Sequence, residues 1–105
     1  MTISVAAADY RTAPLKVRER LVLDRAQARK LLHIVAAERI FAEALILSTC
    51  NRTEIYFAAD AQAPDALPHA LEHLAEVKGE RQAVNASLFR VLAGPDAARH
   101  LLRVA

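Results

Sequence analysis

The sequence predicts a small α+β domain, and three observations support this prediction. Strand-like apolar patterns alternate with two stretches of helical spacing, which begin after residue 14 and after residue 65. A further helical pattern follows the last strand. The four predicted strands are residues 2–8, 44–48, 53–58 and 87–92. The order β-α-β-β-α-β is that of a ferredoxin-like split βαβ fold, with a four-stranded antiparallel sheet, helices on one face and a C-terminal helix.

The first helical stretch carries two boundary signals. Pro14 suits the first turn of a helix, because the missing amide hydrogen costs nothing there. Asp24 and Gln27 have the spacing of a capping box, which predicts that a second helical segment begins at this point.

The later elements are bounded in the same way. Pro64 and Asp65 introduce an amphipathic helix, and Gly79 is its natural C-terminal stop. Gly94 then opens a last helix. We expect residues 95–105 to be the start of a helix that continues into downstream domains, because the apolar pattern is still running at the final residue.

Bulk composition excludes several classes of protein. The 105 residues form one domain (1–105), and 54% hydrophobic content with only two glycines and four prolines excludes a disordered chain. The 14 basic and 12 acidic residues give a net charge of +2 and are scattered, so charge alone does not indicate nucleic-acid binding. One cysteine, no basic leader and no apolar run of membrane-spanning length predict a cytoplasmic protein without a membrane anchor.

The most informative segment is Leu47–Tyr56, which contains the only cysteine of the chain. Strand alternation places Cys50 and Arg52 on the face opposite Ile55 and Phe57, which predicts an accessible thiol. A guanidinium group nearby favours the thiolate, the form in which sulfur is a nucleophile. The alternative is that Cys50 is a small buried hydrophobe at the end of a strand.

Three segments of the chain together resemble glutamyl-tRNA reductase. They follow the order of that family and are Tyr10–Pro14 (YRTAP), Leu47–Tyr56 (LSTCNRTEIY) and Ala98–Ala105 (ARHLLRVA). The second is the most specific. The resemblance implies the N-terminal catalytic domain of an enzyme that makes the first committed precursor of tetrapyrroles from glutamate carried on its tRNA.

This resemblance implies a role for each residue of the site. Cys50 attacks the ester between glutamate and tRNA and forms a glutamyl thioester, which NADPH reduces to glutamate-1-semialdehyde in the full-length enzyme. Thr49, Asn51 and Arg52 match the glutamate-binding segment, and a planar guanidinium suits a carboxylate. Thr49 and Cys50 have opposite parity, so they cannot both touch the substrate from a flat strand, and we expect a turn at Cys50.

His100 matches the histidine of the family's third segment. Its imidazole could donate a proton to the leaving ribose oxygen or position the thioester. The alternative is a histidine on the polar side of the last helix. One departure concerns Tyr10, where relatives often have histidine: its hydroxyl can keep a hydrogen bond but cannot titrate near neutrality.

The resemblance also implies partners and a cofactor. Glutamyl-tRNA is the expected substrate. The chain has no Gly-rich dinucleotide fingerprint, so we expect NADPH to bind a downstream domain. A further downstream domain would make the full-length protein a homodimer. The competing hypothesis is a non-catalytic ferredoxin-like module that regulates or binds RNA, against which the absence of an RNP-type aromatic signature counts.

Two other features lead to weaker expectations. His69, Glu72 and His73 match an inverted zinc-protease pattern, but such letters recur by chance in a helix rich in alanine and glutamate, and we expect no metal. The sheet face away from the helices should carry Ala6, Ala8, Ile46 and Tyr56. So apolar a face predicts a cover supplied by downstream segments or by a second copy.

Overall fold

A computed structural model describes residues 2–59, 66–79 and 84–104, so the predicted helix start at Pro64 and Asp65 lies outside the described residues. Eight elements follow one another, with a short 3-10 helix at Ala86–Leu88 before the last strand. They are β1 (Thr2–Ala8), α1 (Leu15–Leu21), α2 (Arg25–Ala37), β2 (Phe41–Ser48), β3 (Thr53–Ala59), α3 (Ala66–Lys78), β4 (Arg90–Ala93) and α4 (Pro95–Val104).

The four strands form one sheet in the order β2-β3-β1-β4, and each neighbouring pair is antiparallel. This is the strand order of the ferredoxin-like fold, so the predicted fold class is confirmed. The hairpin of β2 and β3 lies at one side of the sheet, and β4 forms the opposite edge. No helix within the described ranges is long and apolar enough to span a bilayer.

The boundary signals have the predicted effects. Asp24 accepts the amide hydrogen of Gln27 at 2.7 Å, and the Gln27 side chain accepts that of Asp24 at 3.1 Å, which completes the capping box of α2. Gly79 ends α3 at φ 66°, and Gly94 precedes α4 at φ 62°. Both angles lie in the left-handed region that glycine adopts at little cost.

The predicted fourth strand is displaced. It was expected at 87–92, but β4 begins only at Arg90. The reason is local, since the Asn85 side chain accepts hydrogen bonds from both the backbone amide and the hydroxyl of Ser87, each at 3.0 Å. Such a side-chain turn competes with extended structure and starts the 3-10 helix instead.

The sheet separates two apolar clusters. The larger cluster lies between the sheet and helices α1, α2 and α3. It includes Leu21, Leu31, Ile55, Phe57 and Leu74. The smaller cluster lies on the opposite face, where α4 packs, and its buried members are Val5, Ala7, Tyr56 and Ala97.

The predicted composition of the second face was correct only for Tyr56. Ala6 pairs with Ile55, and Ile46 pairs with the same residue from the other side. Because residues directly opposite one another share a face, Ala6, Ala8 and Ile46 pack in the larger cluster instead. The error came from assigning the alternate residues of β1 and β2 to faces without the strand pairing, since a shift of one residue exchanges the faces. Helix α4 of the chain itself covers part of this face, and a cover from downstream segments or from a second copy stays a prediction.

Candidate active site

Cys50 lies at the tip of the β2–β3 hairpin. Thr49 and Arg52 exchange two backbone hydrogen bonds, of 2.8 and 3.3 Å, so Cys50 and Asn51 form a two-residue loop. The amide of Asn51 also donates to the hydroxyl of Thr49 at 3.2 Å. The Cys50 side chain is exposed. The predicted turn and the accessible thiol are therefore confirmed, and the buried alternative is wrong.

The base of this hairpin is fixed to the helix layer by two hydroxyl groups. The Ser48 hydroxyl accepts the amide hydrogen of Leu23 at 2.8 Å, and the Thr53 hydroxyl donates to the carbonyl of Leu21 at 3.1 Å. The two hydroxyls lie 3.2 Å apart and can bond to each other. These contacts satisfy backbone groups of the α1–α2 connection and hold the turn that carries Cys50 in place.

A buried carboxylate lies behind the hairpin. Glu54 has no exposed surface, and its Oε2 atom is 2.6 Å from Nε2 of His100. Its Oε1 atom accepts the phenolic hydrogen of Tyr56 at 2.7 Å. The guanidinium of Arg52 lies 3.4 Å from the same Oε2 atom. A buried charge is tolerated only when it is paired in this way.

The imidazole of His100 is held on both sides. It lies on the buried face of α4, with 4% of its surface exposed, so the alternative on the polar side of the helix is wrong. Nε2 faces Glu54, and Nδ1 is 3.4 Å from the guanidinium of Arg90. These partners fit a ring that donates through Nε2 and accepts at Nδ1. The Tyr56 ring stacks on it at 6.5 Å between centroids.

The same environment perturbs Tyr56. Burial raises the pKa of its phenol far above the ordinary value of 10, and the neighbouring Glu54 carboxylate raises it further. Tyr56 therefore stays protonated at any physiological pH and acts as a fixed donor to Glu54.

A cavity of about 230 Å³ opens between this network and the loop after β1. It is lined by Asp9, Tyr10, Arg11, Arg52, His100, Arg103 and Val104. The loop is ordered by Asp9, whose carboxylate accepts the amide hydrogen of Arg11 at 2.9 Å. Three guanidinium groups at one cavity suit an anionic ligand such as a carboxylate or a phosphate.

The structure brings most of the predicted residues together. Thr49, Cys50, Asn51 and Arg52 share one turn, and Arg52 is joined to His100 through their common partner Glu54. In the described part of the chain, neither ring nitrogen of His100 is paired with the thiol. The guanidinium of Arg52 is paired with Glu54, so its proposed effect on the Cys50 thiolate stays a prediction.

Several residues of the site were given no site role from the sequence, namely Arg11, Glu54, Tyr56, Arg90 and Arg103. For Glu54, a residue of the segment Leu47–Tyr56, no role was predicted. The available signal was a charged residue inside a strand that is otherwise apolar on both sides. Arg11 was also missed, because a loop arginine beside Tyr10 has no sequence pattern of its own. Tyr10, which stands where relatives often have histidine, also lines the cavity. The Arg11 side chain donates to its hydroxyl at 3.2 Å.

Comparison with known proteins gives consistent matches. The family model described as "Glutamyl-tRNAGlu reductase, N-terminal domain" matches residues 6–105. The chain is 38% identical over 105 residues to glutamyl-tRNA reductase of Geobacillus kaustophilus, covering all of this chain and 23% of the relative. It is 39% identical over 107 residues to that of Rubrobacter xylanophilus, covering 99% of this chain and 24% of the relative.

A solved structure shows the same fold. Glutamyl-tRNA reductase from Methanopyrus kandleri superimposes with a TM-score of 0.61 and 19% identity, over 98% of this chain and 21% of that one. The chain thus spans about a quarter of the length of the relatives it matches. By its match over residues 6–105, the chain belongs to the glutamyl-tRNA reductase N-terminal domain family.

Proposed function

We propose that the chain is the catalytic domain of a glutamyl-tRNA reductase and that Cys50 takes the glutamyl group from its tRNA. The observation that carries this proposal is the position of Cys50, exposed at the tip of a firmly held turn and two residues from Arg52, which lines the arginine-rich cavity. A cysteine that only filled space would be buried in the core, not exposed at the tip of a turn that hydrogen bonds hold in place.

The proposed step is an acyl transfer. The Cys50 sulfur attacks the carbonyl carbon of the ester between glutamate and the terminal ribose, and a carbon–sulfur bond forms. The bond from that carbon to the ribose oxygen breaks, and the oxygen leaves with the proton that the thiol gave up. The products are a glutamyl thioester on the protein and free tRNA.

The neighbouring residues have separate roles in this proposal. Arg52 pairs with a glutamate carboxylate, for which its planar fork is suited, while Thr49 and Asn51 offer a hydroxyl and an amide at the same turn. His100 helps the proton reach the ribose oxygen or positions the thioester. The contact of its Nδ1 with Arg90, at 3.4 Å, is longer than that of its Nε2 with Glu54, at 2.6 Å. Nδ1 is therefore the ring nitrogen that can more easily leave its partner and contact the substrate.

NADPH does not fit this domain. The 105 residues contain two glycines, Gly79 and Gly94, and each lies at a helix boundary instead of in a phosphate-binding loop. We therefore assign the binding of NADPH, the hydride donor implied by the family resemblance, to other parts of the full-length protein. A cytoplasmic location and a homodimeric full-length protein complete the proposal.

The RNA-binding module is the less favoured function. Such a module stacks bases on exposed aromatic side chains of its sheet. Here the aromatic side chains of the strands are buried: Phe41, Tyr56 and Phe57 are each at most 6% exposed. The strands of the described ranges therefore offer no aromatic stacking surface, and reversible recognition of RNA by the sheet is not supported.

The proposal is tested by covalent capture. The chain is incubated with glutamyl-tRNA that carries labelled glutamate, and the denatured protein is assayed for label that hydroxylamine releases, as expected for a thioester. We expect label on the wild-type protein and none on Cys50→Ser, with both proteins giving the same circular-dichroism spectrum. Equal label on Cys50→Ser, or wild-type binding that is only reversible, would contradict the proposal.

A further inference from the structure

A second cluster of titratable side chains lies on the helix layer, outside the candidate active site. Glu38 follows the C-terminus of α2, and His69 and His73 lie one turn apart on α3. One ligand atom of each lies within 4.8 Å of the others. Residues four apart share a helix face, so both imidazoles are presented to the same side.

The geometry points to a site for a divalent transition-metal ion, held by the Glu38 carboxylate and the His69 and His73 imidazoles. The Oε1 atom of Glu38 lies 2.6 Å from Nε2 of His73 and 3.5 Å from Nδ1 of His69. Metal–ligand bonds of about 2.0–2.1 Å in a tetrahedral site place neighbouring ligand atoms roughly 3.3 Å apart. The Glu38–His69 distance already fits this spacing, and the Glu38–His73 distance needs to open by less than about 1 Å. The ligand atoms of the two imidazoles lie within 4.8 Å of each other.

The arrangement exceeds what a helix-to-helix ion pair needs. One histidine is enough to pair with Glu38, whereas here two imidazole nitrogens face the same carboxylate oxygen. A second carboxylate is also informative, because Glu76 lies 3.6 Å from Nδ1 of His73, the nitrogen that faces away from Glu38. A carboxylate behind a metal-binding histidine fixes its ring and tautomer.

Two imidazoles and one carboxylate are a ligand set of zinc, with the remaining position left to water. All three side chains are partly exposed, at 29% for Glu38, 42% for His69 and 16% for His73, so an ion can reach them. The sequence pattern of His69, Glu72 and His73 had been discounted, with no metal expected. The structure instead supplies Glu38, which is 31 residues away from His69 in the chain and so invisible to a local motif.

The experiment measures zinc binding to the 105-residue chain after removal of metal with a chelator. All proteins carry Cys50→Ser, so that the thiol cannot bind zinc and the result is independent of the chemistry at Cys50. Affinity and stoichiometry are determined by competition with a chromophoric chelator. The matched control is His33→Gln, because His33 is an exposed histidine of α2 outside the cluster.

We expect one zinc ion per chain in the parent and in the His33→Gln variant. His69→Gln, His73→Gln and Glu38→Gln should each weaken binding by more than tenfold, the smallest loss usual even for an outer-shell partner. Zinc at a hundredfold excess over its Kd should raise the Tm of the parent by about 10 °C and that of His73→Gln much less. No stoichiometric zinc, equal loss in His33→Gln, or unchanged affinity in Glu38→Gln would overturn the inference.

Discussion

At the scale of single residues, Glu54 organises the candidate active site. Its carboxylate has no exposed surface and three partners, which are Arg52 in the hairpin loop, Tyr56 on β3 and His100 on α4. Leaving any of these partners unpaired in the interior costs free energy, since a buried polar group without a hydrogen bond is expensive. The same contacts fix the orientation of His100 at the cavity wall. Glu54 therefore stabilises the fold and, in the proposed function, also positions His100.

Tyr56 gives this network a measurable pH dependence. Its pKa is raised in the folded state, so above pH 10 the unfolded chain releases the phenolic proton while the folded chain retains it. Stability should therefore fall as pH rises above 10, by roughly 1 kcal/mol per pH unit, and this contribution should be absent in Tyr56→Phe. Below pH 10 both states keep the proton, and the difference between the two proteins should be constant.

The measurement is urea unfolding of both proteins between pH 8 and pH 11.5. Subtracting the two free energies of unfolding cancels the other titrating groups that both proteins share. A difference that stays flat up to pH 11.5 would show that the phenol ionises as easily in the folded protein as in the unfolded one.

At the scale of elements, the start of α2 and the β2–β3 hairpin that carries Cys50 are coupled. The capping box at Asp24 comes one residue after Leu23, whose amide is bonded to Ser48 at the end of β2. The cap satisfies amide groups that the first turn of a helix leaves without partners. It thus fixes where the helix begins and, through Leu23, where the end of β2 is anchored.

Asp24→Ala should lower the free energy of unfolding by about 1 kcal/mol, because it removes the side-chain acceptor of the cap. Asp24→Asn is the matched control and should stay close to the wild type, since asparagine is an equally good cap. Chemical denaturation of the three proteins tests this. If the alanine and asparagine variants lost the same stability, the charge of Asp24 and not its hydrogen bond would be what matters.

At the scale of the whole molecule, α4 covers the sheet face opposite helices α1, α2 and α3 and completes the candidate active site. It covers Val5, Ala7 and Tyr56, and it brings His100 to Glu54. The cover is partial, because Ile3 and Leu45 remain 49% and 45% exposed beside it. The close approach of α4 depends on Ala97, which is completely buried against the sheet.

Enlarging this contact should separate the helix from the sheet. Ala97→Leu is expected to cost about 1–3 kcal/mol of stability, because extra methyl groups in a packed core force side chains and backbone to move. Ala98→Leu adds the same atoms at an exposed position of the same helix and should change stability by less than about 0.5 kcal/mol. Equal effects in denaturant unfolding would mean that α4 does not pack tightly.

Signals that act over short distances were enough to predict much of this protein. The alternation of apolar residues, the capping box at Asp24 and the glycine at 94 depend on neighbours in the chain, so they predicted the elements and the fold class. The opposite parity of Thr49 and Cys50 predicted the turn, and the alternation of Cys50 with Ile55 and Phe57 predicted the exposed thiol. The position of β4 was missed because a single side chain, that of Asn85, outweighed a weak strand pattern.

The sequence by itself determined the order of the elements, the turn at Cys50 and the family resemblance, because each depends on local geometry or on contiguous residues. Only the tertiary structure decided which residues share a sheet face, that His100 is buried against Glu54, and that Glu38 meets two histidines of another helix. These facts depend on strand register and on the docking of helices, which bring together groups that are distant in the chain, and no local pattern encodes such distances.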